Sequence, residues 1–151
     1  MYDNEIENIK NEYNLHDILI MDAHLAIDKS CCIKCGRSCV IGVDTDQIGS
    51  VAELRSLILH EAGHCREDAF YCSDDNKNLR RHAEYLAIKW AIHNCVPFDK
   101  YIDAIRDGVR DIYQLAEYFN ITVESATKTV DYYNSRLIEY IKLAERRGHA
   151  V

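Results

Sequence analysis

Two histidines and a glutamate in the run His60-Glu61-Ala62-Gly63-His64 have the types and spacing of a metal-assisted hydrolase. On a helix, residues four apart project from one face, so both imidazoles can reach one tetrahedral Zn²⁺ ion. Glu61 starts about 100° round the helix from His60 and can reach the open coordination position through a water molecule. The pattern therefore predicts a zinc site at His60 and His64, with Glu61 as the general base.

The motif falls in a segment that carries its own helix signals. Ser50 stands three residues before Glu53, which is the capping-box arrangement, and an apolar stripe follows at helical spacing. We therefore predict a helix from about 51 to about 66. Glycine inside a helix costs roughly 1 kcal/mol relative to alanine, so Gly63 indicates close approach of another backbone or a ligand.

A catalytic zinc ion usually takes a third protein ligand and keeps a fourth position for water. We assign this third ligand to Glu84, which follows the motif across a loop and lies on the next predicted helix. Small residues on that helix would let it pack close to Gly63: Ala83, Ala87 and Ala91. The competing candidates for the third ligand are His82, Glu67 and Asp68.

The rest of the chain predicts an α+β domain, because a helix and a small sheet precede a series of helices. Short apolar runs near 18–21, 30–34 and 39–43 predict a small antiparallel sheet with a hairpin. The other predicted helices cover 3–13, 77–94, 98–107, 111–119 and a long segment after Thr122. No linker interrupts the chain, so we expect one domain over 1–151, with the sheet and zinc-site helices in 1–96 and a helical bundle in 97–151.

Composition excludes several classes of partner. The chain has 151 residues, with 18 Lys and Arg against 25 Asp and Glu, a formal net charge of −7. This sign disfavours a phosphate backbone or an anionic membrane. The apolar runs are far shorter than the ~20 residues that span a bilayer, and the acidic amino terminus does not resemble a secretory signal. We expect a cytoplasmic protein with no direct nucleic-acid or membrane partner.

The cysteines are the least explained feature of the sequence. There are seven, and Cys31, Cys32, Cys35 and Cys39 crowd together. Without an export signal they are expected to be reduced thiols packed in a hairpin rather than a disulfide framework. A second metal site is the alternative, but neighbouring cysteines on a strand point to opposite faces, which makes a four-thiolate site awkward.

A second class of function rests on the segment 111–133, in which the order and spacing of helix and turn signals are those of a helix-turn-helix. Its would-be recognition helix begins at Val123 and exposes Glu124 and Asp131, with Lys128 as the nearby base. Phosphates would be repelled by this surface, so a DNA-binding regulator is the weaker alternative.

Several motifs together resemble the ImmA/IrrE family of small metallopeptidases. The similarity covers nearly the whole chain and is carried by the run 57–64, the pair Phe70-Tyr71, the segment 84–91, Val96-Pro97 and the segment 115–122. The resemblance implies a zincin-like fold, with the zinc helix against a small sheet. It also implies that His60, His64 and Glu84 hold zinc and that Glu61 is the catalytic base.

The resemblance further implies a substrate, because family members typically cleave a helix-turn-helix repressor of a phage or mobile element. We therefore expect a zinc endopeptidase that acts on a protein regulator, as a monomer or weak homo-oligomer. Tyr71, just past the zinc helix, is a candidate hydrogen-bond donor to the oxyanion. The alternative is a catalytically silent, zinc-bound docking or antitoxin-like protein.

Overall fold

The computed structural model describes residues 2–148, which form six α-helices and a three-stranded sheet. The helices are α1 (Asp3–Tyr13), α2 (Val51–Arg66), α3 (Lys77–Cys95), α4 (Phe98–Arg106), α5 (Ile112–Phe119) and α6 (Val123–Arg146). The strands are β1 (Leu19–Asp22), β2 (Ser30–Cys35) and β3 (Ser38–Val43). The predicted α+β class is confirmed, and each predicted helix is present within two residues of its expected ends.

The chain forms two compact units, the first ending at Ala91 and the second beginning at Ile92. The first contains the sheet, α1, α2 and most of α3, and therefore every predicted site residue. The second contains the helices from α4 onward. The predicted single domain over 1–151 remains a prediction.

The sheet has the strand order β1-β3-β2. Strands β2 and β3 form the predicted antiparallel hairpin, and Gly36 in its turn has a φ of 62°, which favours glycine. Strand β1 pairs with β3 in parallel, with Leu19 opposite Val40. The predicted wholly antiparallel sheet is therefore wrong, and the sheet is mixed. Turn residues specify a hairpin locally, but they carry no information about which side of it a third strand joins.

Helix α2 packs on β2 and β3, and α1 contacts α2. This arrangement buries Ile9, Ile41, Leu54 and Ile58 in one core. Burying each such side chain contributes roughly 1.5–3 kcal/mol. The sheet and α1 thus fix the position of the helix that carries the motif.

The first turn of α2 is capped nearly as the sequence predicts. Ser50 Oγ accepts the Glu53 N–H at 3.1 Å. The Glu53 carboxylate accepts the N–H of Gly49 at 2.9 Å, one residue before the position that a reciprocal capping box would use. Two backbone donors at the start of α2 are thereby satisfied.

In the second unit, α6 packs against α4 and α5. Asn120 ends α5 in the left-handed conformation, and Thr122 Oγ1 caps α6 by accepting the Ser125 N–H at 3.1 Å. Leu115, Ala126 and Tyr133 are buried. Both helices predicted for the helix-turn-helix-like segment, α5 and α6, therefore form.

A disulfide joins Cys39 on β3 to Cys65 near the end of α2, with Cα atoms 5.9 Å apart. The expectation that the cysteines are reduced is wrong for this pair. The packing of α2 on the sheet brings the two residues within the usual disulfide span, although 26 positions separate them in sequence. Cys31, Cys32 and Cys35 of the hairpin keep their thiols.

Within residues 2–148, no helix has both the length and the apolar character needed to cross a bilayer.

Candidate metal centre

Helix α2 supplies three side chains to one site. His60, Glu61 and His64 follow one another on its last two turns. His64 and Glu61 are buried, with 5% and 8% of their surfaces exposed, whereas His60 is half-buried. The site is therefore shielded from solvent at His64 and more accessible at His60.

Helix α3 delivers the fourth side chain through a close helix contact. A Cβ atom on Gly63 would overlap the Ala87 backbone, lying 2.9 Å from its Cα and closer still to its carbonyl oxygen. The predicted close approach at Gly63 is therefore confirmed. Glu84 lies one turn before Ala87 on α3, so this contact brings its carboxylate to the two histidines.

The donor atoms of His60, His64 and Glu84 form a tight triangle. The Nε2 atoms of the two histidines are 3.3 Å apart. His60 Nε2 lies 3.1 Å from Glu84 Oε2, and His64 Nε2 lies 3.1 Å from Glu84 Oε1. Donors placed about 2.1 Å from a tetrahedral zinc ion lie about 3.4 Å from one another. The spacing and the two-imidazole, one-carboxylate chemistry therefore fit a metal ion of this size.

A backbone carbonyl sets the proton position on His64. Its Nδ1 lies 2.7 Å from the carbonyl oxygen of Ala69, which can only accept, so Nδ1 carries the hydrogen. In the neutral ring, Nε2 then carries no hydrogen and can bind a metal ion, whereas in the protonated ring it donates a hydrogen bond to Glu84. Metal-binding histidines are commonly oriented in this way.

Glu84 is the acidic member of the group formed with His60 and His64. Hydrogen bonds with His60 and His64 hold the pKa of the Glu84 carboxyl far below its usual range. Burial alone would lower the pKa of His64, but the hydrogen bonds with Glu84 and the Ala69 carbonyl, together with the charges of Glu84 and Glu61, outweigh burial and raise this pKa. The cluster thus keeps an ionised carboxylate beside two imidazoles, as a cation site requires.

Tyr71 lies in the same site. Its hydroxyl donates to Glu84 Oε1 at 2.6 Å, and this bond raises the pKa of Tyr71 to about 12. The phenol therefore keeps its proton at neutral pH. The structure brings Tyr71 to the site, and its role as an oxyanion donor stays a prediction.

Glu61 receives a hydrogen bond from strand β2. Ser30 Oγ donates to Glu61 Oε1 at 2.8 Å. Cys32 lines the same cleft as Glu61, and burial together with the charge of that carboxylate raises the pKa of the Cys32 thiol. The Glu61 carboxylate therefore lines the same cleft as His60, His64 and Glu84 but is not one of the three candidate ligands.

These groups line a cleft of about 530 Å³ that also includes Lys29, Leu57 and Phe70. Its walls come from β2, α2, α3 and the loop after α2. A cleft of this volume can take several side chains of an extended peptide.

The competing ligand candidates lie elsewhere. His82 is exposed on α3, Glu67 is exposed at the end of α2, and Asp68 pairs with Lys34. Across residues 2–148, His60, His64 and Glu84 form the one group of three or more histidine, cysteine and acidic side chains close enough to hold a metal ion. The hairpin cysteines do not form a second such group among these residues.

Sequence reasoning missed two contributors to the site. Ser30 precedes Glu61 by 31 positions, and a lone serine on a strand carries no motif. Ala69 acts through its carbonyl, which no residue type reveals. Their roles depend on how the chain folds around α2.

Comparison with known families agrees with the geometry. The family model described as the IrrE N-terminal-like domain, a peptidase family, matches residues 47–131 and spans the motif, Tyr71 and Glu84. No curated protein and no solved structure gives a significant match to the chain. Because the match covers more than half of the chain, the protein belongs to the ImmA/IrrE family of metallopeptidases.

Proposed function

We propose that this protein is a zinc-dependent endopeptidase that cleaves a protein regulator. The observation that carries the proposal is the triangle of His60, His64 and Glu84 donor atoms with the Glu61 carboxylate beside it. Family membership supports peptidase chemistry, and the donor set supports zinc.

Zinc held by these three side chains would polarise a peptide carbonyl and lower the pKa of a water molecule toward ~7. Glu61 takes the proton from the attacking water and passes it to the departing amine. Its low exposure limits the access of bulk water to this carboxylate. Tyr71 lies within the cleft, where its hydroxyl can meet a polarised carbonyl oxygen.

The chemical part of the proposal is tested with a peptide library prepared from a digested proteome. Zinc-loaded wild-type protein should create new amino termini that mass spectrometry detects. The Glu61→Gln variant should bind zinc with wild-type affinity and create none. Equal cleavage by both proteins would refute the general-base assignment, and zinc binding without cleavage by wild type would favour a silent docking protein.

The substrate part of the proposal is a helix-turn-helix repressor, carried over from the family resemblance. A repressor encoded by the reading frame next to this gene is the first candidate substrate to test. Incubating that purified repressor with the zinc-loaded protein should yield two fragments, and Glu61→Gln should leave it intact. An uncleaved repressor together with cleaved library peptides would discard this substrate and keep the peptidase.

A further inference from the structure

We infer that Ser30 and Cys32 are positioning residues that hold the Glu61 carboxylate in its working orientation. The inference rests on the proposed function, since it assigns roles toward the general base of that reaction. It also gives a role to one of the hairpin cysteines, which the sequence leaves unexplained.

The strand geometry allows both side chains to act on one carboxylate. Residues two apart on a strand point to the same face, and Ser30 and Cys32 occupy such positions on β2. Helix α2 packs against β2, and Ser30 on this face reaches Glu61 of that helix. Cys31 lies between them, and its sulfur packs against Gly42, its partner on β3.

Ser30 donates a hydrogen bond to Glu61, and the Cys32 thiol lines the same cleft with a hydrogen that it can donate. Ser30 Oγ lies 2.8 Å from Glu61 Oε1. Burial, together with the neighbouring charge of Glu61, raises the pKa of the Cys32 thiol, so its sulfur keeps a hydrogen to donate. Two donors from a strand that is itself fixed by pairing leave the carboxylate little freedom to rotate.

Such positioning matters because Glu61 has to reach a water molecule rather than the metal. A carboxylate that turned toward His60 or His64 would compete as a ligand instead of accepting a proton. Two donors on the β2 side hold it away from this arrangement. Removing them should therefore lower the rate of proton transfer and leave substrate and metal binding unchanged.

The test uses the peptide of the library that wild type cleaves fastest. Ser30→Ala and Cys32→Ala should each lower kcat about 10-fold, and the double variant up to about 100-fold, with KM within about twofold of wild type. Ser30→Thr and Cys32→Ser, which keep a donor, should recover most of the rate. Ser38→Ala and Cys35→Ala, exposed changes in the same hairpin, should keep the wild-type kcat.

Two measurements without turnover complete the test. The zinc Kd of Ser30→Ala, measured by calorimetry, should stay within about twofold of wild type, because Ser30 contacts Glu61 and no ligand. In the metal-free protein, the Tm losses of Ser30→Ala and Glu61→Ala should not add in the double variant, because the two residues share one contact.

The results separate the two ideas. If Glu61→Gln abolishes cleavage while Ser30→Ala and Cys32→Ala keep wild-type kcat, the positioning role is wrong and the peptidase stands. A raised KM at constant kcat, or failure of Ser30→Thr to recover the rate, would also overturn it. If Glu61→Gln cleaves like wild type, the general-base assignment fails and the positioning role fails with it. If zinc-loaded wild type cleaves no peptide, the proposed function itself fails.

Discussion

Gly63 of α2 lies directly against the backbone of Ala87 of α3, with no room for a β-carbon between them. The contact falls one residue before His64 and one turn after Glu84. It therefore sets the distance between the two helices at the level of the candidate metal site, and it makes the position of the Glu84 carboxylate depend on the absence of a side chain at Gly63.

Replacing Gly63 with alanine should destabilise the protein and weaken metal binding. Alanine normally stabilises a helix interior by about 1 kcal/mol relative to glycine, but overpacking against a backbone costs about 1–3 kcal/mol. We expect a net loss of about 1 kcal/mol and a zinc affinity at least about tenfold lower, since Glu84 would be displaced. Chemical denaturation and calorimetry measure the two effects.

Gly49→Ala is the matched control for this change, because a Cβ there would meet only the Glu53 carboxylate at an ordinary 3.7 Å. Wild-type zinc affinity in Gly63→Ala would show that the helix contact does not position Glu84.

Zinc should stabilise the folded protein, and a chelator should reverse the effect. An ion at about 100 times its Kd contributes about 2.7 kcal/mol if it binds only the folded state. Thermal unfolding with and without EDTA measures the shift. The Glu84→Gln and His64→Ala variants should lose most of this thermal shift. His82→Ala, an exposed change on the helix that carries Glu84, should keep it. An equal shift in all variants would place the ion elsewhere.

Tyr71→Phe should weaken zinc binding about tenfold, because the Glu84 carboxylate loses the hydroxyl that holds it. Titration with a chromophoric zinc indicator measures this loss. If affinity is unchanged and kcat at saturating zinc falls instead, Tyr71 acts on the oxyanion, as predicted from the sequence.

Removing the disulfide should lower stability. Its loop spans 26 positions, for which the chain-entropy estimate is about 3 kcal/mol. Denaturant unfolding of a Cys39→Ser/Cys65→Ser variant, compared with wild type before and after reduction, measures the loss. Cys35→Ser, an exposed change in the same hairpin, should leave stability unchanged. Insensitivity of wild type to reductant would contradict a structural role for this bond.

Asp44 should make the protein sensitive to acid. Its buried carboxylate accepts hydrogen bonds from the Gln47 side chain and the Leu25 N–H, which lower its pKa in the folded state. The stabilisation is therefore complete above the ordinary aspartate pKa of about 3.9 and is lost as pH falls through the lower folded value.

Asp44→Asn should be less stable than wild type at neutral pH and should lose less stability on acidification. Urea unfolding at a series of pH values below about 5 follows both effects. The exposed Asp46→Asn change is the control. Parallel pH profiles of wild type and Asp44→Asn would refute the assignment.

The sequence predicts the helices well because their signals are local. Ser50, Asn120 and Thr122 mark ends of α2, α5 and α6 where the structure has them. Glu84 could be selected because small residues on α3 face a glycine on α2. The capping signals lie close together in sequence, whereas the choice of Glu84 used the residue types of two successive helices.

The features that the sequence did not reveal depend on contacts between distant segments. The parallel pairing of β1 with β3 sets Leu19 opposite Val40, and the Cys39–Cys65 bond joins a strand to a helix. The hydrogen bond from Ser30 to Glu61 also crosses from a strand to a helix. No local sequence pattern encodes contacts between distant segments, so these features could be seen only in the structure.

The carbonyl of Ala69 orients a histidine without using any side chain. Ordinary substitution at this position leaves the oxygen in place, so a scan of side chains would not detect this contribution. Its contribution would emerge from replacing the amide between Ala69 and Phe70 with an ester, which weakens the carbonyl as an acceptor. Part of the site is thus encoded in the path of the main chain.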